Sequence, residues 1–175
     1  MPVTGFGRSS ACAILALCSV GCTGPSDPPE QLAVPSSARF ELVSGVLGTR
    51  CGSLDCHGQV GRSLRIYSQA GLRLDPDAFP SVDGGTVSSA EIEDNYQAVI
   101  LLEPEILALV VRQHGDQPER LTLVRKGRGS EAHKGGAAIA VGSTSDRCIL
   151  SWLSSTLDEA ACTDGALIPQ RPAAQ

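Results

Sequence analysis

Cys51-Gly52-Ser53-Leu54-Asp55-Cys56-His57-Gly58 sets two thiols and an imidazole close together in a chain that otherwise reads as helices and loops. Upstream, Phe40, Val43, Val46 and Leu47 share one helical face, which predicts a helix that starts after Ser36 or Ser37, weakens at Gly48 and delivers the chain to Cys51. Downstream, the glycine-rich span 58–87 reads as loop, with brief extended pieces at most at Leu64/Ile66 and Leu72/Leu74. Ser88 and Glu91 have capping-box spacing and open a second helix with Ile92, Tyr96, Val99 and Ile100 on its apolar stripe. Pro104 suits the first turn of a third helix, through Leu107, Val110 and Val111, ending near His114-Gly115. Leu121 to Val124 reads as a short buried stretch and Lys126 to Gly136 as loop. A last helix is expected over about Thr144–Leu157, with Ile149, Leu150, Trp152 and Leu153 inward. The fold class is therefore mainly α: a small helical domain with long Gly-rich loops.

Composition sets the outer bounds. A chain of 175 residues is long enough for one domain with a real core. Hydrophobic residues make up 42% and aromatics only 3%, which predicts an aliphatic core. The net charge of −5 without a basic stripe argues against nucleic acid as a partner. There is no Gly-x-Ser-x-Gly elbow and no phosphate loop, and Asp75, Asp77, Glu91, Glu93 and Asp94 are read as solvated loop and helix-face charges.

Residues 1–21 have the parts of an export signal: Arg8 near the amine, an apolar run from Ala11 to Val20, then Gly21-Cys22. The apolar run is too short for a permanent span. Leu17-Cys18-Ser19-Val20-Gly21-Cys22 resembles a lipobox, with Ser19 where the pattern prefers Leu. Cys22 is thus the expected lipidation site, and the membrane of the cell envelope the expected partner through its acyl chains. Loss of residues 1–21 removes Arg8 and no acid, taking the net charge from −5 to −6. Residues 22–36 are Pro- and Ser-rich and read as a tether, residues 37–162 as the domain, and 163–175 as a disordered tail.

Of seven cysteines, Cys12 and Cys18 leave with the signal and Cys22 carries lipid, so four remain in the exported domain. A Cys148–Cys162 disulfide is the simplest use of the last pair, although four cysteines permit three connectivities. For Cys51, Cys56 and His57 three chemistries compete. Covalent haem c uses two thioethers and a histidine directly after the second cysteine, usually spaced Cys-x-x-Cys-His. Here the loop is two residues longer, so the extra residues must bulge for both sulfurs to reach the porphyrin edge. A local Cys51–Cys56 disulfide would leave His57 as a surface loop residue. Zinc would need Cys51, Cys56, His57 and a distant cysteine, with no second compact pair to supply it.

The pieces Phe40 to Leu47, Cys51 to Gly58, Leu72/Leu74, His133 to Gly136 and Ile149 to Leu153 together resemble planctomycete-type cytochrome c domains and their relatives in bacterial surface lipoproteins. That pattern is an aromatic-containing helix, a Cys…Cys-His-Gly segment, a Leu-rich loop, a Lys/Gly-rich loop with His-x-Gly-Gly, and a closing helix with Trp. The resemblance covers about residues 38–155, and the widened cysteine spacing is its departure. It implies a cytochrome c-like fold with one haem c, held by Cys51 and Cys56 and ligated by His57. Met1 is the only methionine and leaves with the signal, which leaves His114 and His133 as the histidines opposite His57. His133 lies in the loop that matches the motif; His114 reads as a favourable helix-end residue. The implied function is extracytoplasmic electron transfer or redox sensing, with a redox partner protein, by a carrier and not a catalyst. The alternative is a haemless, disulfide-stabilised envelope lipoprotein acting as a structural or interaction module.

Overall fold

The computed structural model describes residues 1–2, 31–75 and 85–167, so Cys22, the signal and Asp77 lie outside the described residues. The unit from Leu32 onward carries the domain. Among the described residues there are six α-helices and no strand: α1 (Phe40–Cys51), α2 (Ser89–Ile100), α3 (Pro104–Arg112), α4 (Thr122–Arg128), α5 (Thr144–Leu153) and α6 (Glu159–Gly165). The mainly α reading holds. None of these helices is long and apolar enough to cross a membrane.

Local chemistry sets most of the ends. Arg39, at φ 62°, turns the chain into α1, which passes Gly48 unbroken and stops at Cys51. Gly48 serves packing, not termination: a Cβ there would sit 3.2 Å from the Ser68 Cβ, so its absence admits the following loop. The Ser88/Glu91 capping box opens α2 as predicted, and Pro104 occupies the first turn of α3. The sequence reading departs from the structure further on. Residues 126–128, expected as loop, finish α4, because Gly129 at φ 73° supplies the left-handed stop three residues later. The helix expected to reach Leu157 ends at Leu153, where Ser155 turns at φ 60°. A further short helix, α6, then starts on the Asp158 cap and extends past the expected domain limit at 162. Residues 163–165 are helical, while 168–175 lie outside the described residues.

The core is mostly aliphatic, as expected, with three aromatic rings at its centre. Phe40, Tyr96 and Trp152, from α1, α2 and α5, meet with ring centroids 5.2 Å (Phe40–Tyr96), 5.2 Å (Phe40–Trp152) and 6.4 Å (Tyr96–Trp152) apart. A low aromatic count did not prevent three rings from being spent on one junction. Tyr96 Oη donates to Pro35 O (2.8 Å) and Trp152 Nε1 to Ser36 O (2.9 Å). These bonds draw the end of the expected tether, with Pro35 buried, into the domain. Val43, Val46, Leu47, Val99, Val110, Ile149 and Leu153 pack around the rings.

Two further ties close the C-terminal half. Cys148 and Cys162 form a disulfide between α5 and α6, both fully buried. Arg50, on the last turn of α1, donates to Gly165 O (3.0 Å) and Leu167 O (3.2 Å) and so caps the end of α6.

The loop from 58 to 75 is held by α2. Glu91, read from the sequence as a solvated charge, is 1% exposed. It receives Arg73 Nε (2.9 Å) and Nη2 (3.2 Å), Leu74 N (2.8 Å) and Ser88 N (2.7 Å). Burial alone would raise its pKa, but these donors outweigh it and hold the carboxyl at about 2.

Two outcomes are expected from this architecture. Removing the Cys148–Cys162 bond, which spans 14 residues, is expected to cost about 3 kcal/mol of unfolding free energy in urea. Glu91→Gln leaves the buried Arg73 without its counter-charge and should cost about 3 kcal/mol near neutral pH. A depressed carboxylate stabilises above its unfolded pKa, so the wild-type advantage is complete above about 4.5 and fades as pH falls toward about 2. A stability difference independent of pH across that window would contradict the assignment.

Candidate functional site

Cys51 ends α1, and the chain then folds back tightly on itself. Ser53 O accepts from Cys56 N (3.0 Å) and Gly58 N (2.9 Å), and Cys51 O accepts from His57 N (2.9 Å). This turn places Leu54 and Asp55 outward and exposed, so the additional loop residues bulge into solvent while Cys51, Cys56 and His57 keep one side. Close backbone packing holds the turn: a Cβ on Gly58 or Gly71 would overlap Gly52 O.

His57 is oriented by its second ring nitrogen. Nδ1 lies 2.7 Å from Leu64 O, and a carbonyl can only accept, so Nδ1 carries a proton and, in the neutral ring, the lone pair is on Nε2. His57 O in turn accepts from Ile66 N (2.9 Å). The segment that supplies Leu64 and Ile66 is fixed by Asn95 on α2. Asn95 Oδ1 accepts from Tyr67 N (2.7 Å), and Nδ2 donates to Tyr67 O (2.9 Å) and Ser44 Oγ (2.9 Å).

His133 comes from the loop between α4 and α5, and that loop is pinned at both ends. At its start Arg125 Nε donates to Glu131 Oε2 (2.7 Å). At its end Ile139 N donates to Gly127 O (2.9 Å). Beneath it a nearly buried bidentate pair joins the helices, Arg128 Nε to Asp146 Oδ1 (2.8 Å) and Nη2 to Oδ2 (3.0 Å).

The two loops bring His57 and His133 face to face, with ring centroids 5.7 Å apart and planes within 17°. Both rings line one solvent-open cleft with about 110 Å³ of enclosed space, together with Cys51, Cys56, Arg50 and Lys126. Its apolar wall is Leu64, Leu102, Leu123 and Ala138. His133 Nδ1 is buried without a hydrogen-bond partner among the described residues.

Cys51 and Cys56 are free thiols, so the local disulfide considered from the sequence is not formed here. Burial pushes the Cys51 thiol up to about 11, and neighbouring Cys56 adds to the shift against the opposing charge of Arg50. A thiol in that state is a poor nucleophile and a poor metal ligand at neutral pH. The zinc reading fails on its fourth ligand, because Cys148 and Cys162 are bonded to each other. No group of three or more His, Cys, Asp or Glu side chains is arranged for a metal ion among the described residues. His114, at φ 53° beyond the end of α3, is exposed and does not line the cleft.

Sequence reasoning named Cys51, Cys56, His57 and His133. It missed Leu64 O, Asn95 and the Arg128–Asp146 pair, which position them. Comparison of this chain with protein-family models, curated proteins and solved structures finds no match.

The thiol environment is directly measurable. In haem-free protein, after mild reduction that spares the buried Cys148–Cys162 bond, iodoacetamide should modify Cys51 very slowly at pH 7. Its rate should still be rising at pH 10, whereas in urea it should level off above about 8.5. A native midpoint near 8.5 would contradict the burial described.

Proposed function

We propose that this domain is a single-haem, c-type cytochrome-like module for electron transfer or redox sensing outside the cytoplasm. One observation carries the reading: two free thiols and two facing imidazoles, distant in sequence, converge on one largely apolar cleft. Cys51 and Cys56 would hold the group covalently through sulfur, and His57, with His133 facing it, would supply imidazole nitrogen to the iron. Haem bound this way supplies reversible one-electron chemistry of its iron.

The chain's own residues serve that purpose physically. Leu64 O fixes the His57 tautomer and makes its Nε2 the more basic donor. Leu64, Leu102, Leu123 and Ala138 keep water from the inner wall. The bulge at Leu54 and Asp55 takes up the two extra residues between the cysteines. In this reading Cys22 tethers the domain to a membrane of the cell envelope, and the functional partner is a redox protein. In this reading the domain is a carrier and not a catalyst, with Cys51, Cys56, His57 and His133 given to the cofactor.

Protein exported from a host with cytochrome c maturation should give a c-type pyridine haemochrome band that survives acid–acetone extraction. His57→Ala should lose the six-coordinate spectrum. With no methionine but Met1, the reduction potential should fall in the low range of bis-histidine haems. A folded, exported protein without Soret absorbance would overturn the proposal and leave the disulfide-stabilised, haemless lipoprotein.

A further inference from the structure

The imidazoles of His57 and His133 also border a second hollow, open to solvent, with about 310 Å³ of space. That reaches the lower end of the roughly 300–1,000 Å³ typical of small-molecule sites. Its rim is polar and comes from two loops: Asp55, Arg62 and Ser63 from the segment after α1, and Lys134 and Gly135 from the loop between α4 and α5. Gly135 leaves room beside the His133 ring, where a Cβ would stand 3.0 Å from Cε1.

The bases on this rim are not neutralised within the protein. Among the described residues every other lysine and arginine is engaged. Arg39, Arg73, Arg125, Lys126 and Arg128 meet carboxylates. Arg50, Arg120 and Arg147 donate to uncharged oxygens, Arg65 lies over the Tyr67 ring, and Arg112 also has a partner. Among those residues only Arg62 and Lys134 lack one, and both stand on this hollow. Asp55, the carboxylate on the same rim, forms an ion pair with neither, and the three charges together leave the rim at +1 before the imidazoles are counted. The chain as a whole carries −5. A concave place whose charge opposes that of the molecule focuses its field and gathers ions of the opposite sign.

We infer that this hollow binds a small organic anion, whose carboxylate or phosphate oxygens lie between Arg62 and Lys134. The planar fork of Arg62 can hold two oxygens of one group at once, and Lys134 supplies a compact point charge from the opposite loop. Ser63, whose hydroxyl has no protein partner, can donate to the same group. The inference goes beyond the haem reading and does not depend on it, because Arg62 and Lys134 have no part in that reading.

The probes are succinate and inorganic phosphate, each titrated at low ionic strength and constant pH into the exported full chain. Calorimetry reads the affinity, and the histidine Cε1–H resonances read the place. Binding should saturate and move His57 and His133, while His114, which does not line the hollow, stays still. Added sodium chloride should weaken it by screening. Arg62→Gln and Lys134→Gln should each weaken it about fivefold. Asp55→Asn should tighten it, and Arg147→Gln, which changes an exposed base elsewhere, should leave it unaltered. Arg62, Lys134 and Asp55 have no protein partner to lose, so these variants should fold as the wild type does. Saturation by one probe alone supports the site and names its ligand as a carboxylate or a phosphate. Failure of both probes to saturate, equal shifts of all 3 histidines, or an affinity untouched by Arg62→Gln and Lys134→Gln would overturn the inference.

Discussion

The carboxamide of Asn95, fully buried on α2, makes to Tyr67 the two hydrogen bonds that a neighbouring strand would otherwise supply. Without a sheet, the backbone of the 58–75 loop has few internal partners, and buried peptide groups left unpaired cost about 1–3 kcal/mol each. Asn95 meets that demand at the point where the loop enters the core, and Glu91 one helical turn earlier meets it again through Arg73 and Leu74. Because Tyr67 is fixed, Ile66 and Leu64 are fixed, and Leu64 O then sets the His57 ring. The orientation of the candidate ligand thus traces back to a polar pair on one face of one helix.

A parallel device serves the opposite wall. Arg128 and Asp146 join α4 to α5 across the base of the His133 loop, with side chains 10% and 6% exposed. Gly142 N adds a bond to the same carboxylate (2.8 Å). Both walls are therefore loops clamped by buried polar groups on helices, an arrangement that permits close approach of backbone to a bound group while the helices carry the stability. The difference between the walls lies at the tips, where His57 Nδ1 has a carbonyl partner and His133 Nδ1 has none among the described residues.

Helices with a strong local signal were legible in the sequence. Ser88 with Glu91 and Pro104 name their own starts, because capping chemistry is local. The α4 boundary was not, since its stop is a glycine that also resembles loop composition. Helix α6 was hidden in a short alanine-rich segment whose helicity depends on the disulfide and on Arg50 from α1. The aromatic junction was missed because composition counts rings without saying where they meet. Among the site residues, Cys51, Cys56, His57 and His133 were chosen by residue type and spacing, and the fold brings them to one cleft. Their positioning groups were not legible: Asn95 and Glu91 look like surface polar residues until tertiary contacts bury them.

The central claim is that Cys51 and Cys56 serve a bound group while Cys148 and Cys162 serve the fold. Peptide mapping by mass spectrometry of the chain, exported from a host with cytochrome c maturation and digested without reduction, tests this most directly. The expected map has one haem on the peptide holding Cys51, Cys56 and His57, with Cys148 and Cys162 recovered as a disulfide-linked pair. A map with Cys51 bonded to Cys56, or either one bonded to Cys148 or Cys162, and no haem mass anywhere would contradict it.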